Sequence, residues 1–283
     1  MSLLHRKGSK GQEVSRLQRS LRVRIDGDFG PKTELALKRY QNINGLTDDG
    51  VSGPVTRASL GINIYAGLDV SRWNGNVPWA RVDKSQAQFV WVKTSQGQDW
   101  YDKCREHNFT GCRAEGIPVG GYHFPSPHIG DSRDPKLEVQ QFIRALGGIS
   151  DGDLLPVLDL EAGVKGDKEH NLQWALEFLR EFENETGLRC IVYTAKWYVN
   201  SYLPRNLRDL KTYPLWVADY TKPFDDGGRS EPDSYCGWQK YDIWQWTGNG
   251  HVNGLDTTGI RKCDRNWLPG GPEALKELTV WSP

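Results

Sequence analysis

The strongest constraint on this chain is a repeat near its start. Ile25–Leu37 reads IDGDFGPKTELAL and Asp48–Leu60 reads DDGVSGPVTRASL. Asp26, Gly27, Gly30, Pro31, Thr33 and Leu37 return 23 positions later as Asp49, Gly50, Gly53, Pro54, Thr56 and Leu60. Each copy has a physical reading. Asp-Gly makes a turn in which glycine takes positive φ. The second glycine ends the loop, and proline suits the first position of a helix. Val14, Leu17 and Leu21 lie at helical spacing before the repeat, and Leu35, Leu37, Tyr40 and Ile43 suggest a second helix between its copies. Residues 1–63 are therefore expected to form a small all-α domain of three helices, near the lower size limit for independent folding.

The rest of the chain differs in character. Residues 1–63 hold 11 Lys+Arg against 6 Asp+Glu, a net of +5, and none of the 12 tryptophans. Residues 64–283 balance this to a formal net charge of 0, which argues against a nucleic-acid binder. The change places a boundary in the stretch GINIYAG, Gly61–Gly67, and predicts a second domain over 64–283. No apolar run approaches the ~20 residues of a membrane span, so no membrane insertion is expected. The opening MSLLHRKGSKGQEV lacks the apolar core of a signal peptide, and the expectation is synthesis in the cytoplasm. Cys104, Cys112, Cys190, Cys236 and Cys263 contain no C-x-x-C spacing and are expected to be free thiols, with one or two disulfides as the alternative.

From Gly67 onward, short β-rich runs alternate with helical stretches. Strands are expected at Gly67–Val70, Phe89–Thr94, Val119–Phe124, Leu155–Leu160, Cys190–Tyr193, Leu215–Ala218 and Ile243–Trp246. Helices are expected at Asp134–Leu146, Asn171–Thr186 and Ala195–Tyr202. This alternation fits an α/β fold, a (β/α) barrel or a doubly wound sheet, and neither a dinucleotide nor a P-loop fingerprint is present. Acids stand where strands end. Asp159 and Glu161 in LLPVLDLEAG are two apart, so a strand places both on one face. Asp69 closes GLDVS, and Asp264 stands in KCDRNW. Aromatic residues accompany them: Tyr122, His123 and Phe124, then Trp216 with Tyr220, then Trp244. Rings beside acids suit a sugar polymer.

Two resemblances follow from these residues. KGSKGQEVSRLQRSL, DGDFGPKTELALKRYQ and GLTDDGVSGPVTRASL resemble the peptidoglycan-binding domain of the PG_binding_1 type. GLDVSRWNG, FVWVKTSQG, GIPVGGYHF, LLPVLDLEAG, IVYTAKWYV, PLWVADY and IWQWTGNGHVNGLD together resemble glycoside hydrolase family 25, the lysozyme-type muramidases. That resemblance implies an irregular TIM-like barrel with fewer helices than strands. It also implies a catalytic set of Glu161, Asp159, Asp69 and Asp264, and a substrate-binding set of Tyr122, His123, Phe124, Tyr193, Trp216, Tyr220, Trp244 and Gln245. Glu161 would be the acid/base. Asp159 would orient the substrate's N-acetyl group in a substrate-assisted route, with a covalent carboxylate route as the internal rival. One departure stands out: Gln96 in KTSQG falls where the family often has Glu.

The implied activity is cleavage of the β-1,4 bond between N-acetylmuramic acid and N-acetylglucosamine in bacterial peptidoglycan, by a monomer without cofactor. The six histidines show no H-E-x-x-H or other close-set pattern, which disfavours a zinc amidase or peptidase. A nonenzymatic wall-binding protein would be expected to lack Asp159 or Glu161. A wall-binding module joined to a muramidase without a leader resembles a phage endolysin, held in the host cytoplasm until a holin-type pore opens the membrane. A bacterial autolysin of the same chemistry is the alternative.

Overall fold

The computed structural model describes residues 5–60, 62, 64–126, 134–221, 232, 235–255 and 262–281. The small domain has α1 (Gln12–Ser20), α2 (Pro31–Ile43) and α3 (Pro54–Ser59). Val14, Leu17, Phe29, Leu37 and Ile62 form its core. The expected second helix is present, but its face is corrected. Leu37 is buried, whereas Leu35 and Ile43 are 52% and 82% exposed.

The repeat also has a member that the motif did not reveal. Gln18 and Gln41 are 23 residues apart, and each is fully buried at the end of a helix. Gln18 Nε2 donates to Asp26 Oδ1 (2.7 Å), the Asp28 carbonyl (3.0 Å) and Thr33 Oγ1 (3.1 Å). Gln41 Nε2 donates to Asp49 Oδ1 (2.9 Å), the Val51 carbonyl (2.9 Å) and Thr56 Oγ1 (3.1 Å). The Gly27 and Gly50 N–H groups donate back to the two glutamine Oε1 atoms at 2.9 and 3.0 Å. One glutamine thus locks each Asp-Gly loop to the helix that follows it.

The large domain is a closed barrel of eight strands. Around it run β1 (Ile64–Val70), β9 (Cys263–Pro269), β8 (Ile243–Gly250), β7 (Leu215–Ala218), β6 (Ile191–Ala195), β5 (Val157–Asp159), β4 (Val119–Phe124) and β2 (Phe89–Gln96), and β2 pairs with β1 to close it. Neighbours are parallel except at β9, which is antiparallel to both β1 and β8. A two-residue strand, β3 (Trp100–Tyr101), extends β2 as a hairpin. The seven expected strands are present. β9 and β3 are additions, as is α4 (Arg105–Ala114), whose few apolar residues gave little helical periodicity.

Strand alternation separates two environments. Inward residues Phe89, Trp91, Val157, Ile191, Trp216, Ile243 and Leu268 fill the lower lumen. Leu275 and Leu278 close this layer; the first lies in the short helix Gly271–Glu277. Gly67 makes room for this packing, since a Cβ there would meet the Phe89 ring at 2.0 Å. Outward residues such as Leu158, Val192 and Val217 pack on α5 (Pro135–Leu146) and α6 (Lys168–Thr186). Asp134 and Asp167 cap these helices by accepting from the Lys136 and His170 N–H groups at 2.8 and 3.0 Å, and Gly147 and Gly187 end them in the left-handed region. No described helix is long and apolar enough to cross a membrane. All five cysteines are buried free thiols.

Candidate active site

Above the apolar layer the lumen opens into a cleft of ≈ 320 Å³ at the C-terminal ends of the parallel strands. This is the end where barrel enzymes place their chemistry. Asp69, Asp159, Glu161 and Asp264 all line it. Their positions follow from register. Asp69 on β1 lies directly opposite Asp264 on antiparallel β9. Asp159 ends β5 beside Tyr193 of β6, and Glu161 follows two residues later on the same side.

Asp69 is held by amides. Gln245 Nε2 and Asn266 Nδ2 each donate to its Oδ2 at 2.8 Å. The amide oxygens are held in turn. Trp216 Nε1 donates to Asn266 Oδ1 at 2.9 Å, and Tyr193 OH donates to Gln245 Oε1 at 2.8 Å, with Tyr220 OH donating to the same oxygen. A chain of fixed donors therefore orients Asp69. Asp159 differs: its Oδ1 is buried with no partner among the described residues.

Burial raises the pKa of every acid here. Asp69 is raised by burial and then by Asp264, against its two amide donors. Asp159 is raised by burial and then by Glu161, against Lys93. Glu161 is raised by burial, again opposed by Lys93, and burial lifts Asp264 to about 6. Lys93 is itself lowered by burial, while Asp159, Asp102 and Glu161 favour its charge. Lys93 was missed as a site residue. It shares the inward face of β2 with Phe89 and Trp91, and its Nζ donates to Gln96 Oε1 at 3.0 Å. A lysine at inward parity in an otherwise apolar strand was the available signal. Ser71, Trp73 and Val157 also line the cleft beyond the expected set.

Of the expected substrate-binding residues, Tyr122, Phe124, Tyr193, Trp216, Tyr220 and Gln245 line the cleft. His123 and Trp244 do not, and both are corrected. His123 faces outward between Tyr122 and Phe124 and is completely buried. It lies 2.8 Å from Ser95 Oγ through Nδ1 and 2.9 Å from Glu138 Oε2 through Nε2, with its ring stacked on Phe178. Trp244 precedes inward Gln245 and packs into the helix-side core, its Nε1 donating to the Asp219 carbonyl at 2.9 Å. Consecutive strand residues cannot share the lumen.

An acid-lined, ring-walled cleft at the rim of an irregular barrel defines a glycoside hydrolase. Residues 68–255 match the family model "Glycosyl hydrolases family 25", and residues 10–60 match "Putative peptidoglycan binding domain". The chain belongs to glycoside hydrolase family 25, and it is a modular hydrolase of the lysozyme (muramidase) type whose substrate is peptidoglycan. It is 27% identical over 247 residues to lysozyme M1 of Streptomyces globisporus, covering 84% of this chain and 77% of that protein. The bacterial lysozyme of Streptomyces coelicolor superposes with a TM-score of 0.65 at 24% identity, over 76% of this chain and 96% of that one. The CTP1L endolysin superposes with a TM-score of 0.60 at 26% identity, over 76% of this chain and 69% of that one.

Proposed function

We propose that the barrel cleaves the β-1,4 bond between N-acetylmuramic acid and N-acetylglucosamine, with Glu161 as general acid and then base. The observation that carries this reading is the inequality of two carboxyls on one face of β5 and its extension. Glu161 opens onto the cleft with a raised pKa, as a proton donor to the leaving oxygen requires. Asp159 lies deeper and keeps one oxygen without a partner among the described residues. That oxygen is suited to accept the N–H of the substrate's acetamido group, so that the acetamido oxygen meets the anomeric carbon. Asp69 and Asp264 hold the sugar below and beside this pair. The small domain keeps the barrel, as a monomer, at the insoluble wall.

The biological role we propose is that of an endolysin, made in a host cytoplasm and reaching the wall after a pore-forming protein opens the membrane. The likeness to the CTP1L endolysin and the joining of a wall-binding module to a muramidase support it. Digestion of purified peptidoglycan with identification of the new reducing end tests the chemistry. Reducing N-acetylmuramic acid is expected. Reducing N-acetylglucosamine would make the enzyme a glucosaminidase, and released stem peptides an amidase.

A further inference from the structure

Charge is sorted around the mouth of the cleft. The acids stand on β1, β5 and β9, whereas Lys93 and Arg72 stand on β2 and the segment after β1. Arg72 is exposed, and its guanidinium lies 4.8 Å from the centroid of Trp73 and 5.0 Å from that of Trp100. Lys93 Nζ lies 4.4 Å from the Phe124 ring on the same side. Trp73 lines the cleft and is itself 75% exposed. The arrangement is fastened from behind. Buried Asp102 accepts the backbone N–H of Arg72 and of Cys104 at 2.8 Å each, tying the segment after β1 to the β2–β3 hairpin.

Two rings thus flank the Arg72 guanidinium, and the side chain stays exposed, so that its N–H donors can reach a ligand. Among the described residues, no carboxylate pairs with it. A planar fork of donors held in this way is suited to a carboxylate. The glycan backbone of the substrate is uncharged. On a muramic acid unit, negative charge belongs to the peptide that the lactyl group carries. We infer that Arg72, held against Trp73 and Trp100, is a subsite for a carboxylate of the stem peptide, so that the enzyme prefers strands whose peptide carboxylates are charged over strands in which they are neutralised. This rests on the muramidase reading above. It orients the substrate with its peptide side toward the β2–β3 hairpin.

The test uses the full chain on soluble peptide-bearing glycan strands in two forms, one with its peptide carboxylates free and one with them converted to neutral amides, since stripping by an amidase would leave a charged lactyl carboxylate in the peptide's place. Wild type is expected to favour the free-carboxylate form by about fivefold in kcat/KM, through KM, as one charge-assisted contact at a solvated site allows. Arg72→Gln should bring that ratio close to unity, and Arg72→Lys should keep part of it. Salt should erode the wild-type ratio and leave the Arg72→Gln ratio where it is. Equal rates of wild type on both forms, or an equal fall on both in Arg72→Gln, would overturn the subsite while leaving the muramidase reading in place. Cleavage of neither form, or a reducing end other than muramic acid, would overturn the muramidase reading and the subsite with it.

Discussion

The two domains use buried polar side chains in opposite ways. In the small domain, buried Gln18 and Thr33 bond to each other, to exposed Asp26 and to the loop between them, and buried Gln41 and Thr56 do the same with exposed Asp49. The repeated motif is therefore the domain's scaffold. At the barrel rim, Asp159 Oδ1 has no partner among the described residues and Glu161 lines the cleft. Burying such groups costs stability, and a site that holds them there is arranged for a ligand. A repeated polar motif thus reports architecture, and an unmatched buried acid reports chemistry.

The largest effect should come from the second kind of residue. Glu161→Gln removes the proton donor at nearly constant shape, and activity on peptidoglycan should fall about 10³-fold or more. Asp159→Asn should fall nearly as far. Both should keep the wild-type circular dichroism spectrum and at least the wild-type melting temperature, since each replaces a buried acid by a neutral group. A Glu161→Gln enzyme within a few-fold of wild type would dismiss Glu161 as the acid.

The first kind of residue should do the reverse. Gln18→Ala strips partners from the Asp26–Thr33 loop, and Gln41→Ala does so at the second copy. Each should cost the small domain about 1–2 kcal/mol, since a buried threonine hydroxyl and the loop's backbone groups lose their partners together. Cleavage of short soluble fragments should stay at the wild-type rate. Chemical denaturation followed by the two domains' separate signals measures the cost. A loss below about 0.5 kcal/mol, the usual range of neutral surface changes, would show that the glutamines do not hold the loops.

Much of this division was legible in the sequence, and the exceptions share a cause. Asp159 and Glu161 were readable because a two-residue spacing specifies one face of a strand. His123 and Trp244 misled because chemistry-bearing residues adjacent in sequence alternate between lumen and helix layer. Applying parity to YHF and WQW would have excluded both. β9 was overlooked because its inward set is Asp264, Asn266 and Leu268, so the polar residues point in and the usual apolar alternation is inverted. Gln41 escaped because it precedes its turn by eight residues, and only the hydrogen bonds join it to the motif. Nothing in the spacing announced Arg72, whose setting depends on a hairpin 28 positions away.

Removing residues 1–63 tests whether the domains also divide the work. The four acids and the cleft-lining rings all lie in the barrel, so soluble fragments should still be cut. On intact walls the rate should drop about tenfold or more, because tethering raises the local concentration of the barrel at an insoluble surface. Ile62 belongs to the small-domain core and β1 begins at Ile64, so the cut leaves both cores whole. Equal rates on walls with and without the small domain would leave it no role in wall attachment.

The smallest expected effect is also the one in which the two domains oppose each other: the response to mild acid. In the small domain His5 is buried with its Nδ1 2.6 Å from Arg57 Nη1, and burial, then the Arg57 charge, lowers its pKa to about 3. The unfolded chain, with histidine near 6.5, takes up a proton first. The stability that neutral His5 contributes is therefore present above 6.5 and is lost as pH falls toward 3. Asp264 in the barrel has the other sign. Its pKa rises from 3.8 to about 6, so its contribution is full below 3.8 and is lost as pH rises through 6. Between pH 7 and about 5.5, acid should weaken the small domain and strengthen the barrel, by about 1 kcal/mol each. Calorimetry of the full chain across this window should show two transitions moving apart or together, according to which melts first. Asp264→Asn should reduce the barrel's response, the other three raised acids keeping its sign, and His5→Asn should flatten the small domain's. Transitions that shift in the same direction with pH would show that other groups govern the acid response.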